Sequence, residues 1–263
     1  STNTYRIANS SPSAASATAD LNGKAVQIAC EKILERLKVS ASEILDCEPA
    51  SVEIKNGTVH VNQAAVSLSW DELVNASYLK RVNLSEHGHY ATPGINFDNT
   101  VEKGHPFAYH VYGTACTTVT IDCIRGIYEI DAVKLVHDFG TTMNPLIDRG
   151  QIEGGLVQGI GWMTMEEIVY DDDGRLRSNA LSTYKVPDIY SVPKELDIHF
   201  LETTNDNLAI FRSKAVGEPP LMYGIGTYFA LRNAIKAFNP DSDIPFSAPM
   251  TPEKTLMALY PNK

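Results

Sequence analysis

The chain has 263 residues, of which 43% are hydrophobic and 21% are charged, enough to bury a substantial core without disulfide bonds. Its net charge of −10 argues against nucleic-acid binding, which needs a basic surface, and against attraction to an anionic membrane. The sequence has no apolar run of about 18 residues and no signal-peptide pattern, so we expect a cytoplasmic protein. Because it opens on Ser1 rather than methionine, we expect a piece of a longer protein.

The N-terminal part of the chain predicts a long helix, then a hairpin and a second helix. Apolar residues recur at helical spacing over about residues 17–38 and predict an amphipathic helix. Asn56-Gly57 predicts a type I′ turn in a hairpin over residues 52–61. The segment Ser69–Glu72 has a capping-box pattern and opens a second helix, which we expect to end at about Val82.

The remainder predicts an irregular stretch over residues 84–106, followed by further strands and helices. We predict strands at 115–121, 128–138 and 196–203, and helices at 149–161, at 221–238 and from Thr251 onward. Because helices and hairpins mix without regular βαβ alternation, the predicted fold class is α+β, with mixed sheets and packed helices. We treat residues 1–263 as one region that divides into two lobes, at about 1–105 and 106–263.

The four cysteines do not form metal or redox motifs. The sequence has no C-x-x-C pair and no iron–sulfur spacing. Free thiols in a cytoplasmic protein are mostly buried. We therefore predict reduced, mostly buried side chains for Cys30, Cys47, Cys116 and Cys123.

Glu218 is the candidate general base. Two prolines follow it and mark the first turn of the predicted helix, where a missing N–H costs little. A carboxylate at this place is held on a stiff backbone and is kept ionised by the helix dipole, which suits proton abstraction. The alternative is that Glu218 only caps the helix, and these residues alone favour that alternative.

Three other segments allow a functional and a structural interpretation. The glycine-rich stretch 150–161 could approach a phosphate-bearing cofactor, or its glycines could only allow close helix packing. The small-residue loop 10–16 could bind an anion ahead of a helix, or it could be an ordinary N-cap. His87 and His89 would share one face of a strand, but no third ligand stands nearby, so a metal site is not expected. The other histidines stand alone and indicate no site.

Taken together, these segments resemble successive motifs of the xanthine dehydrogenase/aldehyde oxidase family. They occur in the family's order and at about its spacing, over nearly the whole chain. The string Lys-Ala-Val-Gly-Glu-Pro-Pro is highly specific, and the resemblance is closest to bacterial xanthine dehydrogenases. The motifs are residues 8–20, Tyr112–Asp122, 138–161, 182–187 and 213–221.

The resemblance implies the second half of a molybdopterin-binding region, with Glu218 as the catalytic base. The pterin dithiolene would hold the molybdenum, in some relatives as the cytosine dinucleotide form, so no side-chain metal ligand is expected. The backbone amide of Ala15 would face the molybdenum. The residues that would line the pterin are Ser16, Ala17, Thr18, Ala19, Gln151 and Gly217.

The resemblance also implies partners. The N-terminal half of the molybdenum subunit would complete the pocket, and 2Fe-2S and FAD modules would carry electrons away, so the chain alone should not turn over. A dimer of such multi-subunit units is expected. The implied activity is oxidation of a purine, xanthine or hypoxanthine, with water as the oxygen source. The alternatives are an aldehyde or nicotinate as substrate, or a non-catalytic assembly fragment.

Overall fold

The computed structural model describes residues 14–203 and 208–261. These divide into two compact units. Of the described residues, unit 1 contains 14–16, 107–203 and 211–261, and unit 2 contains 17–106 and 208–210. Both units combine helices with sheets, which confirms the predicted α+β class. Residues 10–13 of the predicted loop 10–16 lie outside the described residues.

Unit 2 is built from a long helix, a meander and a short hairpin. Its elements are α1 (Thr18–Leu45), β1 (Val52–Lys55), β2 (Thr58–Val61), β3 (Ala64–Ser69), α2 (Trp70–Leu79), β4 (Asn96–Asp98) and β5 (Lys103–His105). Strands β1, β2 and β3 form an antiparallel sheet in that order. Asn56 and Gly57 have φ values of 50° and 73°, as a type I′ turn requires, which confirms the predicted hairpin. The core consists of Leu37, Ala41, Val52, Val59 and Leu73.

Helix α1 extends beyond its predicted end at about residue 38. Its last turns bury serines in place of apolar residues, so the hydrophobic pattern did not reveal them. Ser40, Ala41 and Ser42 are buried, and the hydroxyl of Ser77 on α2 donates a 2.8 Å hydrogen bond to Ser40 Oγ. Polar residues that satisfy one another inside a core carry no hydrophobic periodicity. The β4–β5 hairpin was missed for a related reason, since its short strands are fully exposed and show no alternation.

The capping box at the start of α2 allows a direct test of the local sequence prediction. Ser69 Oγ accepts from the Glu72 amide, and the Glu72 carboxylate accepts from the Ser69 amide. We expect Ser69→Ala to lower the free energy of unfolding by about 1 kcal/mol. Urea denaturation followed by circular dichroism measures the change, and Ser67→Ala, on the exposed side of β3, is the control. Equal shifts in both variants would contradict the prediction.

Unit 1 is a mixed sheet covered by helices. It contains β6 (Gly113–Ile121), β7 (Tyr128–Gly140), α3 (Pro145–Thr164), β8 (Glu195–Glu202), α4 (Ile225–Phe238) and α5 (Pro252–Leu259). Strand β7 lies in the middle, antiparallel to β6 and parallel to β8. Its buried side chains join those of α3 in one core cluster, and α4 and α5 contribute to a second. No helix in the described ranges is both long and apolar enough to cross a membrane.

The predicted burial of the cysteines is wrong, although their thiols are free as predicted. Cys30 and Cys116 are exposed, Cys47 and Cys123 are only partly buried, and all four thiols are free. Cys116 lies at an exposed position of β6, between partly buried neighbours. The face that a residue occupies on a strand or helix decides its burial, and residue type alone does not determine that face.

Candidate functional site

Glu218 lies where a loop enters a helix. It is the N-cap residue of a 3₁₀ segment, Pro219–Gly224, which continues into α4. The helix predicted from residue 221 therefore begins with a tighter turn, a common form of helix terminus. The Glu218 side chain is exposed and makes no capping hydrogen bond. Capping alone therefore does not explain a glutamate at this position.

Ser16 holds the backbone of Glu218. The Glu218 amide donates to Ser16 Oγ at 2.8 Å, and the same hydroxyl lies 3.4 Å from Glu218 Oε2. Ala15 and Ser16 have φ values of 53° and 54°, a left-handed conformation that is uncommon outside glycine. Such a conformation persists only where the surroundings impose it, and it often marks a functional segment.

Gln151 and Ser16 both lie close to Gly217, the residue before Glu218. A Cβ built on Gly217 would lie 2.9 Å from Ser16 Oγ, which would have to shift, and at an ordinary contact distance of 3.7 Å from Gln151 Oε1. The structure therefore places Ser16, Gln151 and Gly217 beside Glu218. In unit 2, Ala17 is the N-cap of α1, without a side-chain capping bond, and the helix begins at Thr18.

The glycines of α3 pack against the segment that follows Glu218. A Cβ on Gly155 would lie 2.9 Å from Pro220 Cβ, and one on Gly159 would lie 2.0 Å from the Leu221 carbonyl oxygen. For these two residues the structure supports the helix-packing interpretation. Gly150 and Gly154 have nothing within 4 Å of such a Cβ. Close packing of α3 therefore helps to set the position of Glu218.

A buried polar network, missed by the sequence analysis, contacts Lys214 and Tyr223, on either side of Glu218 in the sequence. Lys214 donates to Asp138 on β7, and the two side chains are 2% and 1% exposed. The adjacent His137 is fully buried, and its Nδ1 lies 2.6 Å from Tyr223 Oη. Asp138 inside an apolar strand was the available signal, because a buried carboxylate needs a partner.

The network has shifted pKa values. Burial alone would raise the pKa of Asp138, but hydrogen bonds from Lys214, Thr203 and the Gly140 amide outweigh it and lower that pKa. Burial lowers the pKa of His137, which favours the neutral form of its ring. Burial, together with the Asp138 charge, raises the pKa of Tyr223 to about 12, so the phenol keeps its proton.

The lowered pKa of Asp138 predicts an acid-sensitive contribution to stability. The contribution is full above the unfolded-state pKa of about 4 and is lost as the pH falls through the lower folded-state pKa. We expect Asp138→Asn to be less stable at pH 7, and its unfolding free energy to change less steeply below about pH 4 than that of the wild type. Denaturant titrations from pH 7 to pH 3 measure both slopes, and parallel profiles would contradict the prediction.

Gln151, Gly217 and Glu218 are exposed in the described part of the chain. Unit 1 has cavities of about 430 Å³ beside Met257 of α5 and about 370 Å³ beside Tyr128 and Tyr190, and neither is lined by the residues around Glu218. Within residues 14–203 and 208–261, no three His, Cys, Asp or Glu side chains come together as metal ligands. The cluster around Glu218 instead offers a hydroxyl, a carboxamide, a carboxylate and backbone amides, which suit hydrogen bonding to an organic group.

Known proteins resemble this chain in sequence and in fold over nearly its whole length. Xanthine dehydrogenase/oxidase of Felis catus is 40% identical over 260 residues, which cover 96% of this chain and 18% of that protein. The aldehyde oxidoreductase of Desulfovibrio gigas is 27% identical with a TM-score of 0.69, over 95% of this chain and 24% of that one. The quinoline 2-oxidoreductase of Pseudomonas putida 86 shares the fold, with a TM-score of 0.77 at 24% identity, over 94% of this chain and 30% of that one.

This chain thus spans less than a third of each of these relatives. The family model described as molybdopterin cofactor-binding domain matches residues 1–193, which include Ser16 and Gln151 and the strand that anchors Lys214. The match, the fold and the shared length lead to one assignment: the chain belongs to the molybdopterin cofactor-binding domain family.

Proposed function

We propose that the chain is the C-terminal part of the molybdenum-binding region of a hydroxylase that oxidises a purine, xanthine or hypoxanthine, with water as the oxygen source. The observation that carries the proposal is the exposed carboxylate of Glu218, on a backbone held by Ser16 and beside Gln151. The 40% identity to a xanthine dehydrogenase/oxidase supports the purine as substrate.

The residues present fit a molybdopterin group. Ser16, Gln151 and the backbone around Gly217 offer hydrogen-bonding groups at one place, without a set of side chains that would bind the metal directly among the described residues. We propose that Ser16, Gln151 and Gly217 line the pterin and that the Ala15 amide faces the molybdenum. From their motif position we assign the same lining role to Ala17, Thr18 and Ala19.

Glu218 acts in this mechanism as the general base. When bound, the cofactor would supply an acceptor for the two electrons and the hydrogen that leave the ring carbon as its new bond to oxygen forms. A carboxylate oxygen of Glu218 accepts the proton of the water-derived hydroxyl, which makes that oxygen a better nucleophile toward an electron-poor ring carbon. The Ser16 hydroxyl, 3.4 Å from Oε2, and the fixed amide of Glu218 orient the carboxylate for this transfer.

We propose that the complete enzyme supplies what this chain does not contain. The N-terminal half of the molybdenum subunit covers the exposed residues around Glu218, and 2Fe-2S and FAD modules accept the electrons. The pterin is bound in its simple or its cytosine dinucleotide form, and the enzyme is a cytoplasmic dimer of multi-subunit units. The chain spans 18% of its Felis catus relative, which leaves room for all of these modules in a protein of that length.

Elemental analysis and turnover test this proposal together. Molybdenum is measured in the chain purified alone and in the chain co-purified with its partners, and the complex is then assayed with xanthine and hypoxanthine. We expect metal and purine oxidation only in the complex. A complex without molybdenum, prepared with the cofactor machinery present, would support a non-catalytic assembly fragment instead.

A second candidate substrate is an aldehyde, because the aldehyde oxidoreductase of Desulfovibrio gigas is 27% identical to this chain. The same complex, assayed with aldehydes and with nicotinate, separates these alternatives. A higher kcat/KM for an aldehyde or for nicotinate than for xanthine would replace the purine assignment. Glu218 would keep the same role as base toward either carbon.

A further inference from the structure

We infer that His137 and Asp138, consecutive residues of β7, are positioning residues that fix Glu218 by holding segment 214–223 near both of its ends. The inference rests on the proposed role of Glu218 as general base. It assigns to β7 a function in catalysis that is separate from its place in the core. Neither residue touches the carboxylate, so each would act through the backbone that carries Glu218.

Asp138 holds the N-terminal end of the segment. Its carboxylate accepts from Lys214, four residues before Glu218, and both side chains are almost completely buried. The other carboxylate oxygen accepts from Thr203 Oγ1 at 2.7 Å and from the Gly140 amide at 2.9 Å, which orients it toward Lys214. The Lys214 amide donates at 2.8 Å to the Phe139 carbonyl oxygen, so the backbone is tied to the same strand.

His137 holds the C-terminal end. Its Nδ1 lies 2.6 Å from the hydroxyl of Tyr223, five residues after Glu218. Gly113, the partner of His137 in the β6–β7 register, leaves room for this hydroxyl, since a Cβ there would lie 1.8 Å from Tyr223 Oη. The two contacts therefore attach the segment to β7 near both of its ends.

Stability by itself does not account for the ion pair. Burying two charges carries a large desolvation penalty, and well-packed apolar residues at such a place are often equally stabilising or better. What the pair adds is a defined geometry for Lys214. The Glu218 carboxylate is exposed and lies 3.4 Å from the Ser16 hydroxyl, so its position depends on where the backbone places it.

Two variants of the complete enzyme test the inference. The double variant Asp138→Asn/Lys214→Met removes both charges together and so leaves no lone buried charge. Tyr223→Phe removes only the hydroxyl that contacts His137. The matched control is Tyr128→Phe, because the partly buried hydroxyl of Tyr128 likewise makes a hydrogen bond, to the Met250 carbonyl oxygen at 2.7 Å, away from this segment.

We expect kcat to fall about 100-fold in the double variant, with KM, molybdenum content and thermal midpoint near the wild-type values. Tyr223→Phe should lower kcat in the same direction, and Tyr128→Phe should not. Hydrogen exchange should become faster at the amides of Val216, Gly217 and Glu218 in both test variants and stay unchanged in the control.

Wild-type kcat and exchange in the double variant and in Tyr223→Phe would overturn the inference. If the double variant does not fold, the comparison of Tyr223→Phe with Tyr128→Phe decides. Equal effects of these two would show a purely structural role and would also overturn it. Full turnover in Glu218→Gln would refute the general base itself, whereas the exchange rates report on the two anchors independently of turnover.

Discussion

Glu218→Gln is expected to lower kcat for xanthine by about 100- to 10,000-fold in the complete enzyme, the range that a general base contributes. Glutamine keeps the shape of the side chain but cannot accept the proton. Thermal stability and molybdenum content should stay unchanged, because the side chain is exposed and makes no capping hydrogen bond. Steady-state turnover at saturating xanthine, together with elemental analysis, measures both expectations.

Glu195→Gln is the matched control for this variant. Glu195 is an exposed carboxylate at the start of β8, in the same unit as Glu218. Its neutralisation changes the net charge by the same amount and should leave kcat at the wild-type value. If Glu218→Gln also retained full turnover, the general-base role and the hydroxylase mechanism would both have to be abandoned.

A large loss of stability is expected for Gly159→Ala on α3. The added Cβ would lie 2.0 Å from the Leu221 carbonyl oxygen and 3.0 Å from Gly224 Cα, and both are backbone atoms that cannot rotate away. Overpacking of this kind costs about 1–3 kcal/mol and sometimes more. Because the displaced backbone follows Glu218 directly, turnover in the complete enzyme should fall as well.

Gly154→Ala is the control on the same helix. A Cβ there meets nothing within 4 Å, so the variant should gain about 1 kcal/mol from the higher helix propensity of alanine. Denaturant unfolding of the two variants, compared with the wild type, measures free-energy changes of opposite sign. A stable Gly159→Ala protein with normal turnover would mean that α3 does not set the position of the segment after Glu218.

The sequence predicted the elements whose signals are local. The type I′ turn at Asn56-Gly57 and the capping box at Ser69 depend on a few adjacent residues, and both are present. The seven-residue string ending in Pro220 led to the family, which the comparisons then confirmed. These features could be predicted because neighbours in the chain carry all of the information.

Local sequence patterns did not predict which side chains are buried or which distant residues contact one another. Ser40 and Ser77 bury each other's hydroxyls, so helix α1 continues where its apolar pattern fades. Cys116 is exposed because of the face it occupies on β6. In each case a partner distant in sequence, or the face of an element, decides the outcome.

The sequence by itself determined the α+β class, the family, and Glu218 as the residue to test. Only the tertiary structure decided how Glu218 is held. Gly154 and Gly159 both belong to the glycine-rich stretch, and the sequence does not distinguish them. Of the two, only Gly159 packs against the backbone that follows Glu218. The contacts of His137 with Tyr223 and of Asp138 with Lys214 could not be predicted, because these partners are 86 and 76 residues away. Such contacts exist only once the chain is packed, because packing alone brings distant side chains within hydrogen-bonding distance.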